Sequence, residues 1–221
     1  MKVLLFGATG MVGQGVLREC LSDPEVEMVQ TVGRTITGIQ HPKLGEVAHQ
    51  NLWSYEPIEG MLSGFDACFF CLGVSSVGMN AEEYKRITYE GTLAAAETLC
   101  RLNPHMTFVY VSGEGTDSSE RGRVAWARVK GQTENALLRL PFKAAYMFRP
   151  GVIQPMHGIR PRARAYRVLY SLAGPLIPLL RQMFPNAILT TEQMGRAMIH
   201  VVKQGTPAAI LNSRAIGALA G

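Results

Sequence analysis

Short apolar runs alternate with longer amphipathic stretches along most of the chain. The near-continuous apolar runs lie at 3–6, 67–72, 106–111 and 143–148. Runs of this length, bounded by turn residues, are typical of strands in a parallel sheet that is covered on both faces. The stretches between them predict helices at about 14–21, 81–101 and 123–139.

The remaining elements extend the same alternation. β-Branched residues predict a second strand at 26–32, and weaker patterns predict strands at 47–50 and 208–211. Thr190-Thr191-Glu192-Gln193 resembles a capping box and predicts a helix that runs to about Lys203. Strands and helices that alternate in this order imply an α/β fold with a doubly wound, mostly parallel Rossmann-type sheet.

The last third of the chain changes character. Its apolar helical stretch, broken near Pro175 and Pro178, predicts a small C-terminal helical lobe. We expect a single domain over residues 1–221, in which a lobe at roughly 151–190 selects the substrate. The arginines from Arg160 to Arg167 indicate a solvated face; the alternative is a contact with an anionic substrate or a membrane surface.

Composition narrows the class of protein. The 221 residues suffice for one domain with a large core, and 47% hydrophobic residues argues against a disordered chain. No apolar stretch is long enough for a membrane span, and the chain enters its first strand at once, so we expect no signal peptide and a cytoplasmic location. The net charge of +5 suits an anionic cofactor without indicating nucleic acid. The oligomeric state stays open between monomer and homodimer.

The four cysteines do not indicate a metal or redox site. Cys68 and Cys71 have the CxxC spacing, but they fall in an apolar run that predicts a buried strand. Residues three apart on a strand point to opposite faces, so the pair is better explained as small core residues. We expect no metal ion.

A glycine-rich turn joins the first predicted strand to the first predicted helix. Its sequence is Gly7-Ala8-Thr9-Gly10-Met11-Val12-Gly13, with the spacing GxxGxxG. Glycines in this place let the backbone approach a pyrophosphate, while the helix start supplies unpaired N–H groups and the positive end of a dipole. The loop therefore predicts a dinucleotide site; the alternative is a turn that only connects two elements.

The end of the second predicted strand bears on the choice of cofactor. An NAD-binding fold usually has an acidic residue there, to hold the ribose 2′-hydroxyl. This chain has Gly33 followed by Arg34, and a guanidinium is suited to a 2′-phosphate. We therefore predict NADP(H) in preference to NAD(H); the alternative is that Arg34 is an ordinary solvated loop arginine.

Ligands of a doubly wound sheet bind beyond the carboxyl ends of its strands. The loops that meet there are at 7–13, 71–78, 112–119 and 149–154. In the first two loops, the predicted cofactor contacts are Gly7, Thr9, Gly10, Met11, Val12, Gly13, Cys71, Leu72 and Gly73.

These motifs resemble the short-chain dehydrogenase/reductase superfamily over nearly the whole chain. The likeness is to its extended or atypical branch, among proteins similar to nucleoside-diphosphate-sugar epimerases and to the Tat-interacting protein. The resemblance implies that Ser112 is the catalytic serine and Lys130 the catalytic lysine that also holds the cofactor. It further implies cofactor contacts at Pro150, Gly151 and Val152 and, beside the adenine, at Asn51 and Leu52.

One departure from that family concerns the catalytic tyrosine. The family has Tyr-x-x-x-Lys on this helix, whereas the chain has Trp126-Ala127-Arg128-Val129-Lys130. An indole N–H is a donor only and has no acid or base chemistry near neutral pH. Trp126 is therefore a site residue that contacts a ligand without replacing the phenol.

Two functions stay open. The first is an NAD(P)-dependent oxidoreductase or epimerase-like enzyme that transfers a hydride to or from an unidentified small carbonyl or alcohol. Its proton would come from water or from a loop carboxylate, Glu114 or Asp117. The second is a regulatory or sensor protein that binds NADP(H) and has lost catalysis. His157 is the one histidine that we place near the substrate region.

Overall fold

A seven-stranded parallel sheet forms the centre of the protein in the computed structural model, which describes residues 1–159 and 188–221. Its strand order is β3-β2-β1-β4-β5-β6-β9, and all six pairings are parallel. The strands of this sheet are β1 (Lys2–Phe6), β2 (Met28–Gly33), β3 (Leu44–Ala48), β4 (Ala67–Phe70), β5 (Thr107–Val111), β6 (Ala144–Arg149) and β9 (Ile210–Asn212).

Helices cover both faces of the sheet, as the alternation in the sequence predicts. In the described residues they are α1 (Met11–Ser22), α2 (Ala81–Lys85), α3 (Gly91–Leu102), α4 (Ala125–Arg139), α5 (Thr191–Lys203) and α6 (Ser213–Leu219). A 3₁₀ segment spans Glu56–Met61, and a π-helical segment at Arg86–Glu90 joins α2 to α3. The doubly wound α/β fold is confirmed. None of the helices described is long and apolar enough to cross a lipid bilayer.

Each face of the sheet carries its own apolar core. Along β1, Val3 and Leu5 belong to the cluster that includes the inner face of α5, whereas Leu4 and Phe6 belong to the cluster on the α3 side. All four side chains are at most 1% exposed. Because successive strand residues point to opposite faces, a strand buried on both sides must be apolar at every position.

The part after β6 begins with a second, smaller sheet. Strands β7 (Val152–Gln154) and β8 (Ile188–Thr190) pair in parallel, and α5 follows β8 directly. The predicted capping box is present: the Thr190 hydroxyl accepts from the N–H of Gln193, whose side chain accepts from the N–H of Thr190. The predicted helical lobe and the arginine group Arg160–Arg167 lie outside the described residues.

Several predicted boundaries were wrong in detail. The third strand is Leu44–Ala48 and not 47–50, and the last is Ile210–Asn212 and not 208–211. The helix predicted at 81–101 is interrupted by the π-helical segment Arg86–Glu90. The wider turn of a π-helix holds one residue more than an α-helical turn, so α2 and α3 are offset by one residue.

Candidate functional site

A cleft of about 730 Å³ opens at the carboxyl ends of β1, β2 and β4. The predicted cofactor contacts that line it are Gly7, Thr9, Gly10, Arg34, Cys71, Leu72 and Gly73. Residues that the sequence analysis did not select line it as well, among them Thr35, Gln50, Ser75 and Met79.

The glycine loop is fixed by contacts between backbones. Gly7 has φ +80°, and a Cβ built on it would lie 2.7 Å from the amide nitrogen of Leu72 at the end of β4. A Cβ on Gly13 would lie 2.1 Å from the carbonyl oxygen of Gly7. Both distances are too short for any side chain, so these two glycines allow strand, loop and helix to meet.

Helix α1 begins at this loop without a side-chain cap. Gly10 occupies the N-cap position, and the first turn contains no acidic residue. Met11 and Val12 are the first residues of the helix, where backbone N–H groups have no partner within the helix. An uncapped helix start of this kind, at the edge of a cleft, suits a diphosphate.

Arg34 also lines the cleft, just beyond β2. Its side chain is exposed, and its carbonyl oxygen accepts a hydrogen bond of 2.7 Å from the Gln50 side chain. Thr35 and Gln50 line the cleft beside it. The cleft lining beyond β2 therefore combines the Arg34 cation with neutral hydrogen-bonding groups.

Asn51 and Leu52 lie just beyond β3, outside the residues that line the cleft. The Asn51 side chain accepts from the N–H of Trp53, and Leu52 packs near Gly91 at the start of α3. The Arg86 guanidinium lies over the Trp53 ring, 4.6 Å from its centre.

Ser112 is buried at the end of β5, and its hydroxyl is hydrogen-bonded to Glu134. The Oγ–Oε1 distance is 2.5 Å, and the carbonyl oxygen of Phe148 is 3.2 Å from the same hydroxyl. The Arg149 guanidinium binds the Glu134 carboxylate through Nε, at 3.0 and 3.1 Å, and through Nη2. Sequence reasoning missed Glu134, although its position one helical turn after Lys130 places both on one face of α4.

Lys130 extends from α4 towards the same strand end. Its Nζ donates a 2.6 Å hydrogen bond to the carbonyl oxygen of Ser112 and lies 5.8 Å from the centre of the Tyr110 ring. Burial lowers the pKa of Lys130 to about 8, although the negative charge of Glu134 acts in the opposite direction. A partly buried amine with a pKa of about 8 differs from an ordinary surface lysine.

Trp126 is partly buried in the first turn of α4. Its ring lies 3.4 Å from the Cβ position of Gly115, so the loop after β5 covers it. In that loop Glu114 is exposed. Asp117 accepts hydrogen bonds from the hydroxyl and N–H of Ser119 and from the N–H of Gly122, and these bonds lower its pKa.

The segment after β6 lies against that loop and against α6. The carbonyl oxygen of Pro150 accepts from the N–H of Glu114 at 2.9 Å, and the N–H of Gly151 donates to the Ser213 hydroxyl at 2.8 Å. Val152, the first residue of β7, is 48% exposed. His157 lies further along, with Nε2 2.5 Å from a carboxylate oxygen of Glu192.

Cys68 and Cys71 differ in their surroundings near the end of β4. Cys68 is buried within β4, and Cys71 follows the strand and lines the cleft. Burial raises the pKa of both thiols, so neither is a reactive thiolate.

No protein-family model matches this chain. Among curated relatives, it is 29% identical over 153 residues to protein FMP52-2, mitochondrial, of Scheffersomyces stipitis, which covers 67% of the chain. It is 27% identical over 155 residues to protein HTATIP2 of Rattus norvegicus, which covers 69%. The match spans 65% and 62% of the lengths of these two relatives, less than two thirds of either.

The expected cytoplasmic location is contradicted by these relatives. FMP52 proteins of three fungi that match the chain, including the one from Scheffersomyces stipitis, are named as mitochondrial proteins. The prediction rested on the start of the chain and on the lack of a long apolar stretch, features that do not distinguish the cytoplasm from an organelle.

Solved structures show the same fold. The chain superimposes on the Bordetella bronchiseptica enzyme WbmF in complex with NAD⁺ with a TM-score of 0.67 and 15% identity, over 99% of this chain and 76% of that one. A short-chain dehydrogenase/reductase-family oxidoreductase from Burkholderia thailandensis gives 0.66 and 14%, over 100% and 93%. The Rossmann-type fold and the resemblance to atypical short-chain dehydrogenase/reductases are thereby confirmed.

Proposed function

We propose that the protein binds NADP(H) in the cleft beside β1 and acts as an oxidoreductase on a small carbonyl or alcohol. One observation carries the proposal: Gly10, at the uncapped start of α1, and the exposed Arg34 line one and the same cleft. NADP(H) carries two negative groups, a diphosphate and a 2′-phosphate. The uncapped helix start suits the first, and the Arg34 guanidinium suits the second.

The roles of the chain's own groups follow from this assignment. Backbone N–H groups at Met11 and Val12 hold the diphosphate, and Arg34 holds the 2′-phosphate. Lys130 holds the ribose next to the nicotinamide, as the family resemblance implies. When bound, the cofactor supplies or accepts a hydride. We further propose that the lobe at about 151–190 selects the substrate.

Trp126 supports a second candidate function. The family's acid–base phenol is missing from this position, so the protein could bind NADP(H) as a sensor and leave it unchanged. The two functions predict the same cofactor affinity and differ in turnover.

Calorimetric titration with NADPH and NADH tests the cofactor assignment, and NADPH oxidation with a panel of aldehydes, ketones and quinones tests catalysis. Tighter binding of NADPH together with turnover supports the oxidoreductase. Binding without any turnover supports the sensor, and no binding of either nucleotide contradicts both.

A further inference from the structure

The proton needed for carbonyl reduction has few possible sources in the described part of the site. The Ser112 hydroxyl donates to Glu134, and the Thr116 hydroxyl donates to the Gly113 carbonyl oxygen at 2.7 Å. Asp117 is held as a carboxylate by three hydrogen bonds, and Glu114, the other carboxylate of that loop, is exposed to solvent. The Trp126 indole does not release its proton near neutral pH. Each of these groups is hydrogen-bonded within the protein, exposed to solvent or chemically unsuited to donate a proton to the carbonyl oxygen.

Lys130 differs from all of them. An ammonium has three N–H groups, and its contact with the Ser112 carbonyl uses one of them. Its neighbours are Tyr110 on β5, with Tyr84 on α2 close to that ring, and Glu134 one turn further along α4. The Glu134 carboxylate is paired with Arg149 from β6, so within residues 1–159 and 188–221 the ammonium has no carboxylate of its own.

We propose that Lys130 is the general acid that takes over from the absent phenol. In reduction, the carbonyl carbon receives the hydride, the carbonyl π pair moves to oxygen, and that oxygen takes a proton from Nζ. The lysine is left as a neutral amine and recovers its proton from water. The inference rests on the proposed function and names the proton donor within that site.

The protonation behaviour of a buried amine suits this role. Catalytic acids work best when their pKa lies near the working pH, and burial brings Lys130 into that range. Reduction requires the protonated form, so turnover is present below about pH 8 and falls as the pH rises through that value.

Three variants test the assignment with NADPH and 9,10-phenanthrenequinone as the probe carbonyl. Lys130→Arg keeps the charge but does not give up a proton. Lys130→Met replaces it as the test variant if the larger arginine side chain disturbs folding. Lys143→Arg, at an exposed lysine just before β6, is the matched control. An NMR pH titration of the lysine Cε signals in the cofactor-free protein, assigned with Lys130→Met, measures the Lys130 pKa directly.

We expect Lys130→Arg to lower kcat by about 10²–10⁴-fold. The NADPH Kd should stay within about threefold, because arginine keeps the charge and the donors. The control should match the parent protein, and the NMR titration should have its midpoint near pH 8.

The proposal is overturned by an NMR midpoint above about pH 10, the range of an ordinary lysine. It is also overturned if Lys130→Arg retains the parent's kcat, or if the parent binds NADPH but does not reduce the quinone at any pH. Failure of the parent to bind NADPH defeats the proposed function instead.

Discussion

The hydroxyl of Ser112 and the carboxylate of Glu134 share a 2.5 Å hydrogen bond between the end of β5 and the middle of α4. Glu134 is fully buried, and Arg149 from β6 neutralises it. Three elements that converge on the site are thus joined through one side chain. The serine that the family resemblance assigns to the substrate already has an internal acceptor, and this reduces its capacity to donate to a substrate oxygen.

Glu134→Gln should destabilise the protein, because it leaves the Arg149 guanidinium in a partly buried place without its anion. Removing one partner of such a pair costs on the order of 3 kcal/mol. Urea denaturation measures the loss. Glu97→Gln, at an exposed position on α3, should change stability by less than about 0.5 kcal/mol. Equal effects of the two substitutions would contradict the importance of the buried pair.

Arg34→Ala should weaken NADPH binding by about 1.5–3 kcal/mol, since it removes charged hydrogen bonds to the 2′-phosphate. NADH lacks that phosphate, so its affinity should not change. Calorimetry on both nucleotides gives the difference. Arg139→Ala, at the far end of α4, is the control and should affect neither. A parent protein with equal affinities for the two cofactors would refute the NADP(H) preference.

The structure separates two glycines that the GxxGxxG motif treats alike. Gly10→Val should leave a folded protein that does not bind NADPH, because Gly10 has extended backbone angles and its Cβ position is 3.3 Å from the nearest backbone oxygen. Gly13→Val should not fold stably, because its Cβ would overlap the Gly7 carbonyl. Circular dichroism with thermal melting, followed by NADPH titration, checks both. Normal NADPH binding by folded Gly10→Val would place the cofactor elsewhere.

Lys130→Met should stabilise the protein at pH 7. The folded-state pKa of about 8 lies below the ordinary 10.5, so between these values the unfolded chain binds more protons and stability rises with pH. Below pH 8 the parent bears the full cost of a buried ammonium, which the variant lacks, so we expect a gain of about 1–3 kcal/mol. Denaturation at pH 7 and pH 10 should show the advantage shrinking at the higher pH. A constant difference would mean that Lys130 titrates normally.

Trp126→Tyr should keep NADPH binding and raise the rate of carbonyl reduction, because it restores the phenol one turn before Lys130. The natural protein should bind NADPH with quenching of tryptophan fluorescence and, with Lys130 as its proton donor, reduce carbonyls more slowly than the variant. NADPH oxidation by both proteins over one carbonyl panel makes the comparison. Fast turnover by the natural protein would contradict the sensor alternative, whereas no gain in the variant would count against the positions assigned to Ser112 and Lys130.

Central strands could be predicted from the sequence because burial on both faces leaves a visible apolar run, as at 67–72. The edge strand β3 was misplaced because its residues are only half-buried and leave a weak pattern. The π-helical segment at Arg86–Glu90 also escaped prediction, since one extra residue in a turn does not change composition.

The residues of the site likewise differ in how well the sequence predicts them. The glycine loop is local in sequence, so its geometry follows from the motif. Glu134 was missed because a charged residue on a helix is expected to face water. Its burial is compensated by Arg149, which is far away in the sequence and belongs to β6.

The glycine loop and Arg34 differ in how freely they can be substituted. At the α1 end, Gly7 and Gly13 are locked into the packing of strand against helix, so nearly every substitution there is removed by its cost to folding. Arg34 lies on the surface beyond β2, outside both apolar clusters of the described residues. Under the proposed function, a single substitution at position 34 therefore suffices to change the nucleotide preference, while the diphosphate-binding loop stays constrained by folding.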